Sequence, residues 1–270
     1  MKIAAIQMRS GVNIDANLIE AERLIRAAAA DGASFIATPE MTHILQRSPK
    51  DLFKSISDEA NDRGVKHFAA LAKALKIDLL IGSLAIKTSE NRAANRSFLF
   101  NKDGTNSARY DKIHLFDVTV SKAETWKESN VYDRGNKAVI ADIDGAKLGL
   151  SICYDLRFSS LYRYYGQAGA DIIAVPAAFT KPTGRAHWEP LLRARAIETG
   201  SFIIAPAQGG LHEDGRSTYG HSMIIGPWGD IRAHLENDAP AYICADIDIS
   251  DVEDARRRIP AWNHDPDFCT

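Results

Sequence analysis

The amino-acid sequence predicts an α/β fold in a single domain. Amphipathic helical segments alternate with short apolar strands along the chain, an order typical of sheets covered by helices. One phrase recurs as DGASFIATPE, AGADIIAVPA and TGSFIIAPAQ, each time a helix end, a glycine, an apolar strand and a proline. Its irregular spacing favours two related βαβ halves over a solenoid. The phrase is also explained if glycine and proline simply mark the ends of ordinary helix-to-strand connections. The 270 residues contain no linker and no shift in composition, which fits one large domain.

The first half of the sequence predicts two strand–helix pairs followed by two further strands. Leu18, Ala21, Leu24 and Ile25 share one face of the first predicted helix, and Gly32 suits the left-handed position that ends it. The predicted elements are strands over residues 2–8, 34–38, 79–86 and 96–101, and helices over residues 15–31 and 59–75.

The second half predicts an irregular segment, a hairpin and a second series of helices and strands. Residues 110–136 show no regular period, and Asp144-Gly145 is a typical two-residue hairpin turn. The predicted strands cover residues 138–143, 147–152, 171–175, 201–205, 222–226, 231–235 and 241–246, and the helices 161–168, 187–199 and 251–259. In α/β sheets the ligand crevice lies beyond the carboxyl ends of the strands, where Glu40 and Cys153 are expected.

The composition excludes several classes of function. A formal net charge of −2 gives no electrostatic footprint for nucleic acid. No stretch approaches the roughly 18 apolar residues of a membrane span, and the N-terminus enters a strand pattern without an apolar signal core. The odd and sparse set Cys153, Cys244 and Cys269 indicates a reducing compartment. We therefore expect a cytoplasmic protein that binds neither nucleic acid nor membrane.

Cys153 is the first candidate for chemistry. It follows the apolar strand LGLSI and precedes the polar run YDLR. A nucleophile at such a strand-to-helix turn is presented at the sheet edge, where the following backbone N–H groups point at a developing oxyanion. A lone cysteine after an apolar strand is, however, more often a small buried hydrophobic residue.

Glu40 and Lys112 are the second and third candidates. Glu40 directly follows the strand FIATP, and partial desolvation there would raise its pKa towards the range of a general base. Lys112 lies in the run YDKIHLF, and an ammonium beside a thiol lowers the thiol pKa and can stabilise an oxyanion. Taken alone, the glutamate also fits a capping carboxylate and the lysine a surface position on a strand.

The sequence contains none of the common metal-binding or nucleotide-binding motifs. The eight histidines show no HExxH pattern, and no paired CxxC spacing is present. Neither GxGxxG nor a GxxxxGK phosphate loop occurs. The sequence therefore disfavours a metal site and offers no motif that would bind a dinucleotide or a nucleoside triphosphate. A Cys–His pair that uses His187 or His221 stays open, because the fold assembles such partners from distant positions.

The three candidates together resemble the Glu–Lys–Cys triad of the nitrilase superfamily of carbon–nitrogen hydrolases. The motifs FIATPEM, YDKIHLF and LGLSICYDLRF match in order and context, and the resemblance extends from KIAAIQM to YICADIDI. It implies an αββα sandwich with pseudo-two-fold halves over residues 1–260, followed by a tail at 261–270. It also implies a homodimer or larger assembly, and a cofactor-free mechanism with Cys153 as nucleophile, Glu40 as general base and Lys112 at the oxyanion.

A second glutamate is implied by the same resemblance. Glu128 in WKESNVYDRG matches a position where many family members carry an additional acid. The following Asp133-Arg134-Gly135 departs from relatives that often have a proline before the glycine, which puts the role of Glu128 in doubt.

The segments PAAFTKPTGRAHWEPLLRARAIE and YGHSMIIGPWGDI resemble the Nit group of amidases most closely. The resemblance implies a small-molecule amide substrate, with deaminated glutathione cleaved to 2-oxoglutarate and cysteinylglycine. The alternatives are an ω-amidase for α-keto-acid amides, an N-carbamoyl amide hydrolase and a catalytically silent binding protein.

The loop over residues 177–184 is expected to border the substrate, because it follows a predicted strand at the same sheet edge as Cys153. Arg157, Lys181 and Arg185 are candidates to hold a substrate carboxylate, which arginine can do in bidentate fashion, although each also fits a solvated surface charge. The expected substrate-binding residues are Tyr154, Arg157, Phe179, Thr180 and Thr183.

Overall fold

The computed structural model describes residues 1–121 and 124–264 and has a mixed α/β architecture. The helices are α1 Ile14–Ala30, α2 Pro49–Ser55, α3 Arg63–Leu75, α4 Ser159–Gln167, α5 Lys181–Thr199 and α6 Ser250–Arg258. The first strands are β1 Lys2–Gln7, β2 Phe35–Ala37, β3 Asp78–Ser89, β4 Arg92–Phe100, β5 Asn106–Asp111, β6 Asp117–Ser121, β7 Glu124–Lys127 and β8 Tyr132–Asp133. The others are β9 Ile140–Ile143, β10 Ala146–Leu150, β11 Ile172–Ala174, β12 Phe202–Ala205, β13 Gly209–Leu211, β14 Ser217–Tyr219, β15 Met223–Ile225, β16 Ile231–His234 and β17 Ala241–Asp246.

Two sheets of similar design form the centre of the molecule. The first has the order β17-β1-β2-β3-β4-β5, with β8 beside β4, and the second has the order β16-β15-β12-β11-β10-β9. In the first sheet β1, β2 and β3 are parallel and antiparallel strands flank them. In the second sheet β10, β11 and β12 are parallel and are flanked in the same way. The two sheets therefore have the pseudo-two-fold relationship that the recurring phrase predicts.

The sheets pack face to face with helices on their outer sides. Successive side chains of a strand point to opposite faces, so β1 divides its residues between two layers. Ile3 and Ala5 belong to the core that contains Leu148 and Ile172 of the second sheet. Ala4 and Ile6 belong to the core formed with Leu24 of α1 and Phe68 of α3, whereas α4 and α5 cover the far side of the second sheet. The layers follow the order αββα, which confirms the predicted sandwich.

Most predicted elements are present with boundaries shifted by a few residues. The hairpin at Asp144-Gly145 is present, with φ of 47° and 85° at its two central residues. Gly32 and Gly169 also take the positive φ that ends a helix.

The prediction was wrong in four places. Residues 110–136 are not simply irregular, because they contain the end of β5, the β6–β7 hairpin and β8. Helices α2 and α5 begin where no helix was expected, so the loop predicted over 177–184 is cut short at Lys181. The short hairpin of β13 and β14 was also missed, because its strands are only three residues long.

The described C-terminal residues pack onto the second helix layer. A 3₁₀ turn, Pro260–Asn263, contacts α4, α5 and α6, so the start of the predicted 261–270 tail lies against the domain. Residues 265–270, including Cys269, lie outside the described residues. Every helix within 1–121 and 124–264 is too short or too polar to span a bilayer.

Candidate active site

Glu40, Lys112 and Cys153 come from three strand ends and meet between the two sheets. Glu40 lies three residues beyond β2, Lys112 directly follows β5, and Cys153 lies three residues beyond β10. Nζ of Lys112 is 2.8 Å from Oε1 of Glu40, and the Cys153 thiol lies near enough to this carboxylate for the Glu40 charge to raise the thiol pKa. All three side chains are buried. The fold therefore brings together a thiol, a carboxylate and an ammonium that are spread over 114 residues of sequence, from Glu40 to Cys153.

The backbone around Glu40 is held by close contacts between strands. Met41 has a φ of 56°, and its N–H donates to Oγ of Ser83 at 2.9 Å. Gly82 passes so near this loop that a Cβ on it would lie 2.1 Å from the carbonyl oxygen of Thr38. The other carboxylate oxygen, Oε2 of Glu40, accepts from the backbone N–H of Ala178 at 3.0 Å. Both oxygens of Glu40 thus have fixed partners.

Lys112 is shared between two carboxylates. Its Nζ lies 2.9 Å from Oε2 of Glu128, and Glu128 also accepts from the N–H of Phe116 at 2.7 Å. The Nδ2 of Asn95 bridges the two acids, with distances of 2.9 Å to Glu40 and 3.0 Å to Glu128. The departure at residues 133–135 has therefore not moved Glu128 away from Lys112.

The charges of this cluster shift its pKa values in directions that differ from expectation. Burial would raise the pKa of Glu40, but the Lys112 ammonium opposes it and the net shift is downward. Burial likewise disfavours the ammonium, yet Glu128 and Glu40 raise the pKa of Lys112 well above its usual value. Burial, followed by the charge of Glu40, raises the pKa of Cys153 well above its usual value although Lys112 acts in the opposite sense. The expected upward shift of the Glu40 pKa and the expected lowering of the Cys153 pKa by Lys112 were therefore wrong.

Cys153 occupies a strained turn at the end of its strand. Its φ is 51°, a left-handed conformation that costs an L-residue about 1–2 kcal/mol. The Cys153 N–H donates to the carbonyl of Pro176 at 2.9 Å, which ties the turn to the end of β11. A short 3₁₀ helix, Cys153–Arg157, follows, as the predicted strand-to-helix turn requires.

Asp155 joins the cysteine turn to the lysine segment. Its buried carboxylate accepts from the N–H of Ile152 at 2.9 Å and from the hydroxyl of Tyr110 at 2.7 Å. It also accepts from the N–H of His114 at 2.9 Å and lies 2.7 Å from Nδ1 of that ring. Since Tyr110 and His114 flank Lys112 in sequence, one carboxylate sets the position of Lys112 relative to Cys153.

A cavity of about 310 Å³ opens onto the triad. This size is at the lower end of the range for small-molecule sites. The residues predicted to bind substrate all line it: Tyr154, Arg157, Phe179, Thr180 and Thr183. The guanidinium of Arg157 lies 5.2 Å from the ring centre of Phe179. Within the described residues, no cluster of three or more His, Cys, Asp or Glu side chains is arranged to hold a metal ion.

The other basic candidates and both histidine candidates lie elsewhere. Lys181 forms an ion pair with Asp238 at 2.9 Å, and Arg185 is exposed on α5, so neither lines the cavity. His187 lies 3.2 Å from a guanidinium nitrogen of Arg157, and the ring of His221 stacks on Tyr219. Neither histidine lines the cavity that contains Cys153, which argues against a Cys–His pair.

Sequence reasoning missed several residues of the site, and four of them carry charge or hydrogen bonds that matter for its geometry: Arg47, Asn95, Asp155 and Arg216. Asn95 and Asp155 contact the catalytic candidates, and Arg47 and Arg216 line the cavity. No local signal marks them, because each acts through contacts with residues far away in the sequence. Only Asp155 stood inside a quoted motif.

Comparisons with known proteins agree with this geometry. The family model described as carbon–nitrogen hydrolase matches residues 2–257. A protein of Synechocystis sp. named deaminated glutathione amidase is 39% identical over 97% of this chain and 96% of its own. The C. elegans NitFhit crystal structure superposes with a TM-score of 0.91 at 32% identity. The superposition covers 98% of this chain but only 64% of that protein. Nit3 of Saccharomyces cerevisiae, a member of branch 10 of the nitrilase superfamily, has a TM-score of 0.86 at 26% identity, with 96% and 94% covered.

Proposed function

The chain belongs to the carbon–nitrogen hydrolase family, and from this premise we propose that it is an amidase whose catalytic residues are Cys153, Glu40 and Lys112. The observation that carries the proposal is that Glu40, Lys112 and Cys153 are buried at the wall of one cavity, with the Lys112 ammonium 2.8 Å from the Glu40 carboxylate. These are the groups that acyl transfer through a thioester requires, and they lie at the wall of a cavity of substrate size.

The resting protonation states suit general-base catalysis. With its pKa lowered Glu40 is ionised at neutral pH, and with its pKa raised the Cys153 thiol keeps its proton. When an amide carbonyl approaches, the sulfur forms a bond to the carbonyl carbon and the thiol proton moves to Glu40. The thiolate therefore forms only as the bond to carbon forms.

The negative charge that develops on the carbonyl oxygen needs a partner. Lys112 provides a permanent positive charge there, together with the backbone N–H that follows Cys153. Glu40 and Glu128 hold the Lys112 side chain at this place, and Asn95 bridges the two acids, so the position of Lys112 does not depend on substrate. We assign Glu128 a supporting role, through its contact with Lys112.

Collapse of the tetrahedral intermediate completes the first half-reaction. The C–N bond breaks, the amine leaves with the proton that Glu40 returns, and the acyl group stays on Cys153 as a thioester. Glu40 then takes a proton from water as the water attacks the thioester carbon. When the C–S bond breaks, Glu40 returns this proton to the Cys153 sulfur, and the carboxylic acid is released. The cycle needs no cofactor.

For the substrate we propose deaminated glutathione, cleaved to 2-oxoglutarate and cysteinylglycine. The name of the Synechocystis relative supports this, as does the presence of Arg157 in the cavity wall. An ω-amidase for α-keto-acid amides would use the same residues, as would an N-carbamoyl amide hydrolase. A silent binding protein has no need for three buried ionisable groups in mutual contact.

The test is an assay for released amine or ammonia on deaminated glutathione, 2-oxoglutaramate, an N-carbamoyl amine and a plain aliphatic amide, with Cys153→Ala as the control. Fastest turnover of deaminated glutathione supports the proposed substrate, and preference for 2-oxoglutaramate selects the ω-amidase. No turnover of any amide by the folded wild-type protein would contradict the proposal.

A cytoplasmic homodimer is the remaining part of the proposal. Ile197 on α5 and Trp228 in the turn between β15 and β16 are 55% and 49% exposed, and Ile197 lies against Gly229 next to that tryptophan. Adjacent large apolar side chains at a surface favour a protein contact. Light scattering should give at least twice the monomer mass of 29.6 kDa, and a monomer at micromolar concentration would refute this assembly.

A further inference from the structure

The cavity is more positive than the chain as a whole. Its wall contains five cationic side chains and two carboxylates, a formal charge of three positive, whereas the whole chain has a net charge of −2. Lys112 is held by both carboxylates, Glu40 and Glu128. The positive charge left for a ligand is therefore on Arg47, Arg157, Arg216 and Lys127 at the wall.

Two of these arginines share one aromatic ring. The guanidinium carbon of Arg216 lies 4.7 Å from the ring centre of Trp126, and that of Arg47 lies 5.0 Å from the same ring. Arg157 instead lies over Phe179 and Tyr154. A guanidinium over an aromatic face keeps its N–H edge directed to the side, where it can bind a carboxylate with two parallel hydrogen bonds.

The aromatic wall connects Cys153 to this pair of arginines. Tyr154, the neighbour of Cys153, contacts the ring of Phe116 at 5.1 Å between centres, and Phe116 contacts Trp126 at 6.4 Å. All three rings line the cavity. A substrate whose amide lies at Cys153 can therefore extend along this wall until a distant charged group reaches Arg216.

The position of Arg216 is fixed by the short hairpin of β13 and β14. The buried ring of His212 bonds the carbonyl of Ser10 at 2.8 Å and the hydroxyl of Thr218 at 2.6 Å, which fastens both strands. Arg216 is 19% exposed and its only ion pair within the described residues is with Asp214, at 3.4 Å. A long, single contact of this kind leaves most of the donors of the guanidinium available.

We propose that Arg216, with Arg47 and the Trp126 ring, forms a subsite for a carboxylate of the substrate, separate from the contact that Arg157 makes. The inference rests on the proposed amidase function and specifies its substrate class: an amide with an anionic group remote from the scissile bond. Deaminated glutathione has two such groups, one on the acyl part and one on the leaving peptide. The Arg216 guanidinium would bind either carboxylate by the same charged hydrogen bonds.

Three amides distinguish whether the subsite binds the carboxylate of the acyl part or that of the leaving peptide. In 2-oxoglutaramate the only carboxylate is on the acyl part, in 4-oxopentanoyl-cysteinylglycine it is on the leaving peptide, and 4-oxopentanamide has none. Arg216→Gln and Arg47→Gln should lower kcat/KM for a carboxylate substrate relative to 4-oxopentanamide by about 10- to 100-fold, the size expected for losing a charged hydrogen bond. A fall confined to one of the two charged amides identifies which carboxylate the subsite binds.

Arg185→Gln is the matched control, because Arg185 is exposed and does not line the cavity. In Arg185→Gln, the ratio of kcat/KM for each charged amide to kcat/KM for 4-oxopentanamide should equal the wild-type ratio. Arg216→Lys keeps the charge without the planar fork, so its ratio should fall between those of wild type and Arg216→Gln. Ratios in Arg216→Gln and Arg47→Gln that equal those of Arg185→Gln overturn the proposal.

A binding measurement keeps this test independent of turnover. Calorimetric titrations with 2-oxoglutarate and with cysteinylglycine test the two carboxylates separately. The product that carries the bound carboxylate should bind wild type with a Kd about 10- to 100-fold tighter than it binds Arg216→Gln. Thermal melting confirms that the variant is folded before titration, and Arg47→Gln replaces it otherwise. If the wild type hydrolyses no amide but binds 2-oxoglutarate through Arg216, the amidase function fails while the subsite stands. Kd values that are equal in wild type and both glutamine variants, with 2-oxoglutarate and also with cysteinylglycine, overturn the subsite.

Discussion

Nζ of Lys112 lies 2.8 Å from Oε1 of Glu40, with only 2% of the lysine side chain and 6% of the glutamate side chain exposed. Isolated charges cannot remain ionised at such depth, so each depends on the other. The pKa of Glu40 is lowered and that of Lys112 raised as a result, although burial acts against both charges. The pair is therefore ionised before substrate arrives, which is the state that the proposed roles of general base and oxyanion partner require.

Glu40→Gln should lose turnover while keeping the fold. The amide has nearly the shape of the carboxylate and can still accept from Lys112, but it cannot take the thiol proton. General-base catalysis contributes about 10²–10⁴-fold, so kcat should fall by that order. Steady-state amine release measures it, with Glu20→Gln on the exposed face of α1 as a control. Wild-type kcat in a folded Glu40→Gln would remove the general base from the mechanism.

Lys112→Met should destabilise the protein in a pH-dependent way. It leaves Glu40 and Glu128 buried around Asn95 without their cation, a loss of about 3–5 kcal/mol. The repulsion raises the folded-state pKa of a carboxylate above its unfolded value. Stability therefore improves as pH falls through that raised pKa, because protonation removes a charge. Denaturant unfolding at several pH values measures this.

A double variant provides the matched comparison for that prediction. Lys112→Met with Glu128→Gln has one buried carboxylate fewer and should recover part of the lost stability at neutral pH. A single variant as stable as wild type, with no dependence on pH, would show that the cluster does not need the lysine charge.

The Cys153 thiol should be protonated at neutral pH in the resting protein. Burial and the Glu40 carboxylate raise its pKa well above the usual value, so the thiolate appears only as pH rises into that range. Ultraviolet difference titration of wild type against Cys153→Ala detects the thiolate. Glu40→Gln removes a negative charge and should shift the titration to lower pH. A Cys153 thiolate already complete at pH 7 in wild type would indicate a Cys–Lys ion pair instead.

Gly82→Ala should disturb the active site through the backbone. The added Cβ would lie 2.1 Å from the Thr38 carbonyl and 2.6 Å from that of Pro39, so the loop before Glu40 must move. We expect a lower melting temperature and a lower kcat. Gly145→Ala is the control, because it introduces left-handed strain of about 1–2 kcal/mol at a φ of 85° with no atom near its Cβ. Unchanged kcat in Gly82→Ala would mean that the loop adapts.

The sequence predicts much of this molecule because strong local patterns mark it. The apolar runs that end at Pro39 and Pro176, the Asp144-Gly145 turn and the three catalytic motifs are all read within about ten residues. The resemblance to the nitrilase superfamily, made on those motifs, is confirmed by the family model and by the solved relatives. These short patterns were enough to predict the αββα sandwich, because both of its halves repeat the same βαβ arrangement.

The rest depends on contacts between distant residues. The direction of the Glu40 pKa shift follows from the distance to Lys112, 72 positions away, and strand ends alone suggest the opposite. Arg216 reaches the cavity only because a three-residue strand pair turns it there, too short for periodicity to reveal. Lys181 resembled a carboxylate ligand in sequence, but it pairs with Asp238 across the fold.

The most direct test of the account is mass spectrometry of the protein quenched with acid during turnover of deaminated glutathione. The account predicts an added mass equal to the 2-oxoglutaryl group on the peptide that contains Cys153, held as a thioester. Cys153→Ala should show neither the adduct nor turnover, and it should melt at the wild-type temperature. An adduct on Cys244 or any other residue, or near-normal turnover by Cys153→Ala, would contradict the assignment of Cys153 as the nucleophile.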